Sequence, residues 1–143
     1  MEYTIGQIAE MLEVNPSALR YYDQMGIFPD VKKVNGRRVF EDKDFRWLRV
    51  LKCMKKIRMP IEKIQEYVAL AQQGDKTLKQ RYELILEQKK KIEEEMEALK
   101  KCYQEFAFKE WYYKKAIEAG TEEAVKDVAS TTATLEVDEI PNL

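Results

Sequence analysis

The stretch that decides the fold is "NPSALRYYDQMG", residues 15–26. Asn15 before Pro16 reads as a helix start. The asparagine oxygen can cap the open N–H groups, and a proline in the first turn gives up an N–H that has no partner there. Gly26 closes the segment barely three turns later. At 100° per residue, Leu19, Tyr22, Ala18 and Met25 gather on one side, while Ser17, Arg20, Tyr21 and Gln24 fall within a second arc. The first arc is a packing face. The second offers hydroxyl, guanidinium, phenol and amide groups, which form either an ordinary solvated face or a set of contacts to phosphates and base edges in a major groove. Tyr22 belongs mainly to the packing face, though its hydroxyl could still reach a phosphate.

Upstream, Thr4-Ile5-Gly6-Gln7 fits a capping box, and Ile5, Ile8, Ala9 and Leu12 follow at helical spacing. A short amphipathic helix over residues 4–12, a tight Glu13-Val14 connection and the second helix make a helix-turn-helix. Downstream comes "VKKVNGRRVF", residues 31–40. Asn35-Gly36 between two β-prone runs is the signature of a type I′ hairpin. Lys32, Lys33, Arg37 and Arg38 decorate both of its strands. Four cations beside a reading helix make this hairpin a wing, suited to gripping the DNA backbone or minor groove.

A third helix begins at Glu41 or Asp42, with Trp47, Leu48, Val50, Leu51 and Met54 on its apolar arc. A fourth opens at Pro60, buries Ile61, Ile64, Val68 and Ala71, and ends at Gly74. Thr77-Leu78-Lys79-Gln80 reads as a second capping box before a long helix. That helix carries a heptad, with Leu78, Ile85, Ile92, Leu99 and Phe106 at d and Tyr82, Lys89, Met96 and Tyr103 at a. Lys89 is the one polar member and sets register at some cost in stability. About thirty residues at ~1.5 Å each give roughly 45 Å of helix, too long for its own head to cover. Self-association is the economical way to hide such a seam, and its middle falls near Ile92. At Glu110 the a/d pattern fails, and the aromatic cluster that ends at Tyr113 suggests a bend and a short final helix. The expected organisation is therefore a head over residues 1–75, a dimerisation helix over 76–108, and a short helix with an acidic, flexible tail over 109–143.

Charge follows the same division. The net charge is −1, but residues 31–63 hold twelve Lys/Arg against four Asp/Glu, an excess of +8. From Ala116 onward the balance is −6. A basic middle suits a polyanion and an acidic end is solvated.

A capped helix, "ALRYYDQMGIFP", a wing reading "NGRRVFEDKDF", two further helices and a long dimer helix together resemble the MerR family of transcription regulators, from about Tyr3 to about Gly120. The resemblance implies a mainly α fold, with a winged helix-turn-helix head and an antiparallel coiled-coil homodimer. It also implies binding to a pseudo-palindrome in double-stranded promoter DNA. Distortion of the promoter spacer in response to an effector would then act on RNA polymerase indirectly. Arg20 and Tyr21 match the family's DNA-contacting helix positions, and Arg38 with Phe40 match the wing's Arg-x-aromatic. Phe40 stands where Tyr is more usual and Arg37 where an aromatic is frequent.

On the effector side, metal-sensing members carry Cys at the start of the dimer helix and in the loop beyond it, where this chain has none. Nor is there length for a multidrug-binding C-terminal domain. "VLKCMKK" resembles the aldehyde- and nitrosative-stress branch, whose members keep a cysteine in the third helix. Cys53 has Arg49, Lys52 and Lys56 close by, and neighbouring cations favour a reactive thiolate. It reads either as that sensor or as a small half-buried hydrophobe. Cys102, at heptad position g, is a bystander. Two Cys and no His exclude a disulfide framework and any His-based metal or catalytic site. No cofactor, enzyme activity or membrane partner is expected, and the compartment is cytoplasmic. The competing reading from another class is a helical protein-interaction module without DNA binding; the +8 basic segment speaks against it.

Overall fold

A computed structural model of the chain describes residues 1–126. The expected flexible acidic tail lies largely outside those residues. The chain forms two compact units, the first Met1–Glu87 and the second from Gln88 onward. In order, the elements are β1 (Glu2–Thr4), α1 (Ile5–Met11), α2 (Pro16–Gln24), β2 (Lys33–Val34), β3 (Arg37–Glu41), α3 (Phe45–Lys56), α4 (Ile61–Gln72) and α5 (Leu78–Ala119).

The first unit is built by local capping and a shared core. Thr4 accepts from the Gln7 N–H at 3.2 Å while the Gln7 side chain accepts from the Thr4 N–H at 2.8 Å, a complete capping box. Between α1 and α2 the chain reverses through Glu13, whose φ of 54° is left-handed, and the Val14 N–H then donates to the Ala9 carbonyl at 2.9 Å. Asn15 caps α2 through the Ser17 N–H, with Pro16 in the first turn. Asn35 and Gly36 both take positive φ, 50° and 76°, which is what a type I′ turn demands.

The hairpin is not free-standing. β1 pairs antiparallel with β3, with Tyr3 opposite Phe40, so the sheet runs β1-β3-β2 and the basic hairpin is anchored by the strand that opens the chain. A short 3-10 turn at Asp42–Asp44 precedes α3, and the Asp44 carboxylate accepts from the Glu41 N–H at 2.8 Å. Ile8, Leu19, Ile27, Phe28, Phe40, Leu48, Leu51 and Ile64 are buried together, and Leu84 from the start of α5 joins them. Leu84 thus falls within the first unit, which runs to Glu87.

Three expectations about the helices need correction. Val50 does not join the apolar arc of α3; it is 39% exposed. Thr77 is not an N-cap. A 3-10 turn at Gly74–Thr77 runs straight into α5, and the buried Thr77 hydroxyl lies between the Leu70 and Gly74 carbonyls while accepting from Arg81 Nε. The bend expected near Glu110 is not there either. α5 is one helix of 42 residues, and the chain turns only at Gly120, whose φ is 75°. The a/d frame in fact resumes after Glu110 with Tyr113 at d and Ile117 at a, 51% and 80% exposed. After the turn, residues 123–126 are helical, and Val125 packs on Tyr112 and Ala116. Burial and the Glu122 carboxylate, which accepts from the Tyr112 hydroxyl at 3.3 Å, push that phenol's pKa upward.

Candidate nucleic-acid interface

The phase argument for α2 carries over into three dimensions. Leu19 and Tyr22 are buried and Ala18 and Met25 partly so, which leaves Ser17, Arg20, Tyr21 and Gln24 exposed together on the opposite face. Ser17 points its hydroxyl at Asn15 Oδ1, 2.8 Å away, so it belongs to the cap as well as to the face. The Tyr21 ring sits 6.0 Å from that of the buried Tyr22 at a tilt of 47°, and is itself exposed. Burial raises the Tyr22 hydroxyl's pKa, so the phenol stays a neutral hydrogen-bonding group.

The wing residues divide by face. Lys33 and Arg37 are exposed on the hairpin strands, whereas Lys32 is tied to Glu2 at 2.9 Å. Arg38 points inward to the head. Its Nε donates to Asp23 Oδ1 at 2.7 Å and its Nη1 to the Val31 carbonyl at 2.7 Å, and its side chain is only 15% exposed. Because Asp23 lies on α2, this charge-assisted pair bolts the wing to the reading helix. Phe40 must be withdrawn from the list of contact residues. It is 0% exposed and lies edge-on to Phe28, ring centres 5.2 Å apart. The strand alternation that brings Arg38 inward carries Phe40 inward too, two residues on.

Further ties orient α2, and none of them has a local sign in the sequence. Gln65 on α4 donates to the Met25 carbonyl at 2.9 Å, just past the end of the helix. The Trp47 indole donates to the Ile27 carbonyl at 3.1 Å while its ring stacks on Tyr67 at 5.6 Å. Asp23, Gln65 and Trp47 each reach a partner 15 to 40 positions away. No periodicity marks such a pairing.

The arrangement is thus a short helix offering polar groups, clamped against a cationic hairpin, within a basic head. Residues 3–70 match the MerR HTH family regulatory protein pattern. An uncharacterised HTH-type transcriptional regulator of Haemophilus influenzae is 32% identical over 126 residues, which cover 87% of this chain and 93% of that protein. This chain belongs to the MerR family. A MerR-family regulator described as lacking the sensor domain, solved bound to promoter DNA, superposes with a TM-score of 0.75. It is 32% identical, and the alignment covers 87% of this chain and all of that one. The regulator AdhR of Bacillus subtilis is 32% identical over 62% of this chain and 64% of its own length. Among the described residues no helix is long and apolar enough to cross a membrane.

Cys53, the expected effector residue, lies on α3 and is exposed, as is Cys102 on α5. Arg49, Lys52 and Lys56 share its helix and are exposed as well. Of the seam residues, Leu78, Tyr82, Ile85, Met96, Leu99, Tyr103 and Phe106 are all exposed, Phe106 at 79%, while Ile92 is half-buried.

Proposed function

We propose that the protein acts as a cytoplasmic homodimer that reads a two-fold-related promoter site with α2 and grips the flanking phosphates with its wing. As a MerR-family member it is a DNA-binding transcription regulator, and the alternative of a helical interaction module without DNA binding falls away. The observation that carries the residue-level reading is the exposed set Ser17, Arg20, Tyr21 and Gln24 on one face of α2, set beside the exposed Lys33 and Arg37. Polar groups on a short helix suit base edges and phosphates, and hairpin cations suit the backbone. The exposed seam of α5 supports the homodimer. A two-headed protein of this kind alters spacer geometry when an effector shifts the heads, and RNA polymerase then meets the changed DNA.

Gel-shift titration tests this reading. If two heads neutralise about six to ten phosphates, affinity falls roughly 10³–10⁵-fold between 50 and 200 mM salt. Arg20→Ala should also alter base preference if the guanidinium reaches a base edge. A flat salt response would sink the interface.

For the effector, the exposed Cys53 among cations of α3 supports electrophile sensing. Cys53→Ser should bind DNA with unchanged affinity and lose transcriptional response to aldehydes. Mass spectrometry after brief iodoacetamide treatment should find Cys53 labelled before Cys102; equal labelling would count against it.

A further inference from the structure

The reading helix does not complete its own exit. The Met25, Gly26 and Ile27 N–H groups turn back onto the carbonyls of Tyr21, Asp23 and Tyr22, and the last turn of α2 holds no basic side chain. Carbonyls at a helix end need partners from elsewhere. The Met25 carbonyl accepts from Gln65 of α4 at 2.9 Å, and the Ile27 carbonyl accepts from Trp47 of α3 at 3.1 Å. Since the Trp47 ring stacks on Tyr67 of α4, both donors are seated by α4. Gln72, two turns beyond Gln65 on the same face, donates to Asp30 Oδ2 at 2.9 Å. α4 therefore holds the segment 25–30 that leaves the reading helix.

α4 is finished from outside in the same way. Its last turn also lacks a basic residue. Arg81, in the first turn of α5, donates from Nη2 to the Gly74 carbonyl at 2.9 Å and from Nε to the Thr77 hydroxyl at 3.1 Å, and that hydroxyl sits against the Leu70 carbonyl. All of these residues lie in the first unit. The end of α2 is thus set by α4, and the end of α4 by Arg81.

This order matters because Tyr21 and Gln24, two of the exposed polar groups, stand in the last turn of α2, next to the Met25 carbonyl. Hydrogen bonds to base edges weaken steeply with misalignment, whereas attraction between a cation and a phosphate falls off slowly with distance. A small turn of the helix end should therefore damage sequence choice and spare grip. Arg38 differs, since it holds the wing as well as α2; the Gln65 bond involves no wing residue.

We infer that Gln65 is a positioning residue for sequence choice, setting the last turn of α2 through the Met25 carbonyl, with Arg81 acting behind it through the end of α4. This rests on the DNA-reading function above and adds to it residues that act without a base contact of their own.

The test uses the full-length protein and a library of randomised DNA duplexes. The parent selects its preferred site, and gel shifts at fixed salt then compare that site with one scrambled duplex for every variant. Circular dichroism melts fix a temperature at which all variants are folded. Gln65→Met keeps the length and removes the donor, and Gln65→Glu sets a carboxylate against the carbonyl. Gln65→Lys supplies a donor that suits a helix C-terminus. Gln65→Met and Gln65→Glu should each lower the ratio of selected to scrambled affinity about tenfold, the discrimination of roughly one base pair. Affinity for the scrambled duplex should stay within about twofold of the parent, because phosphate contacts dominate it. Gln65→Lys should recover most of the ratio, and Arg81→Met should lower it about threefold. Selected and scrambled affinities that fall together, or equal ratios for Gln65→Met and Gln65→Lys, would reduce Gln65 to a structural brace and overturn the inference. A parental ratio in Arg81→Met would strike Arg81 from it. A parent chain that selects no site would overturn the DNA-reading function itself, and the positioning role with it.

Discussion

α2 and α5 are both amphipathic helices, yet they end in opposite situations. The apolar face of α2 is covered within its own unit, where Leu19 and Tyr22 join a core that contains no exposed member, and its polar face is the one that looks outward. α5 is reversed: its apolar a/d face looks outward over six heptads, while Leu84 on another face is the residue that joins the head's core. The same hydrophobic driving force, ~25 cal/mol per Å² of apolar surface, is satisfied inside one chain for α2 and needs a second chain for α5. Stability of the head should therefore be independent of concentration, and that of the coil should not.

The largest effect should come from breaking the seam. Leu99→Asp places a carboxylate in the exposed apolar seam of each copy, where burying it costs several kcal/mol, roughly 3–5 for an unpaired charge. Light scattering should show monomers at concentrations where the parent is dimeric, with the head still folded. Phe40→Ala is its counterpart in the head. Removing a fully buried ring should cost about 3–5 kcal/mol, seen as a lowered urea midpoint that does not vary with protein concentration. If both variants responded to dilution in the same way, the contrast between the two helices would be wrong.

Smaller and more diagnostic is Arg38→Ala. It leaves the Asp23 carboxylate and the Val31 carbonyl without their partner, a loss of about 1–3 kcal/mol. Binding should weaken for all DNA sequences alike, because α2 loses its brace, and Arg38→Lys should restore little since an ammonium cannot serve both acceptors from one plane. The smallest effect is a pH effect. Asp42 accepts from the Tyr3 hydroxyl at 3.0 Å and pairs with the terminal ammonium at 3.3 Å, and these hold its carboxyl below the ordinary carboxylate range. A lowered folded-state pKa gives stability that is present above the unfolded value, ~3.9, and lost as pH falls through the folded one. Asp42→Asn should therefore lower stability slightly at neutral pH and leave the acid limb of the profile flatter, the two proteins converging at low pH, as thermal melts from pH 2 to 7 would record.

How much of this was legible in the sequence depended on the range of the interaction. Caps, turn glycines and helix faces are set by neighbours within four residues, so Thr4, Asn15, the Asn35-Gly36 turn and the two arcs of α2 could be read directly. The third strand could not: β1 is three residues long, and its last residue, Thr4, doubles as the cap of α1 and hides the strand signal. The heptad reads through its first polar position, Lys89, and stops at the second. Glu110 reads as an end because a bend and one polar seam position look alike over four residues, although Tyr113 and Ile117 resume the frame. The resemblance points Phe40 at the DNA, while its placement is a matter of sheet alternation against a core that only the fold defines.

The Arg38–Asp23 pair also bears on how such a head could be re-engineered. The wing and the reading helix look like separate modules, one for grip and one for sequence choice, and a designer would be tempted to exchange hairpins between relatives. The guanidinium makes them a single mechanical part. A transplanted hairpin without arginine at position 38, or a new reading helix without an acid at position 23, would leave one half of the pair stranded in a largely covered position. Selectivity and grip can be retuned together or not at all, so variant libraries for a new operator should vary α2 and β3 as one block.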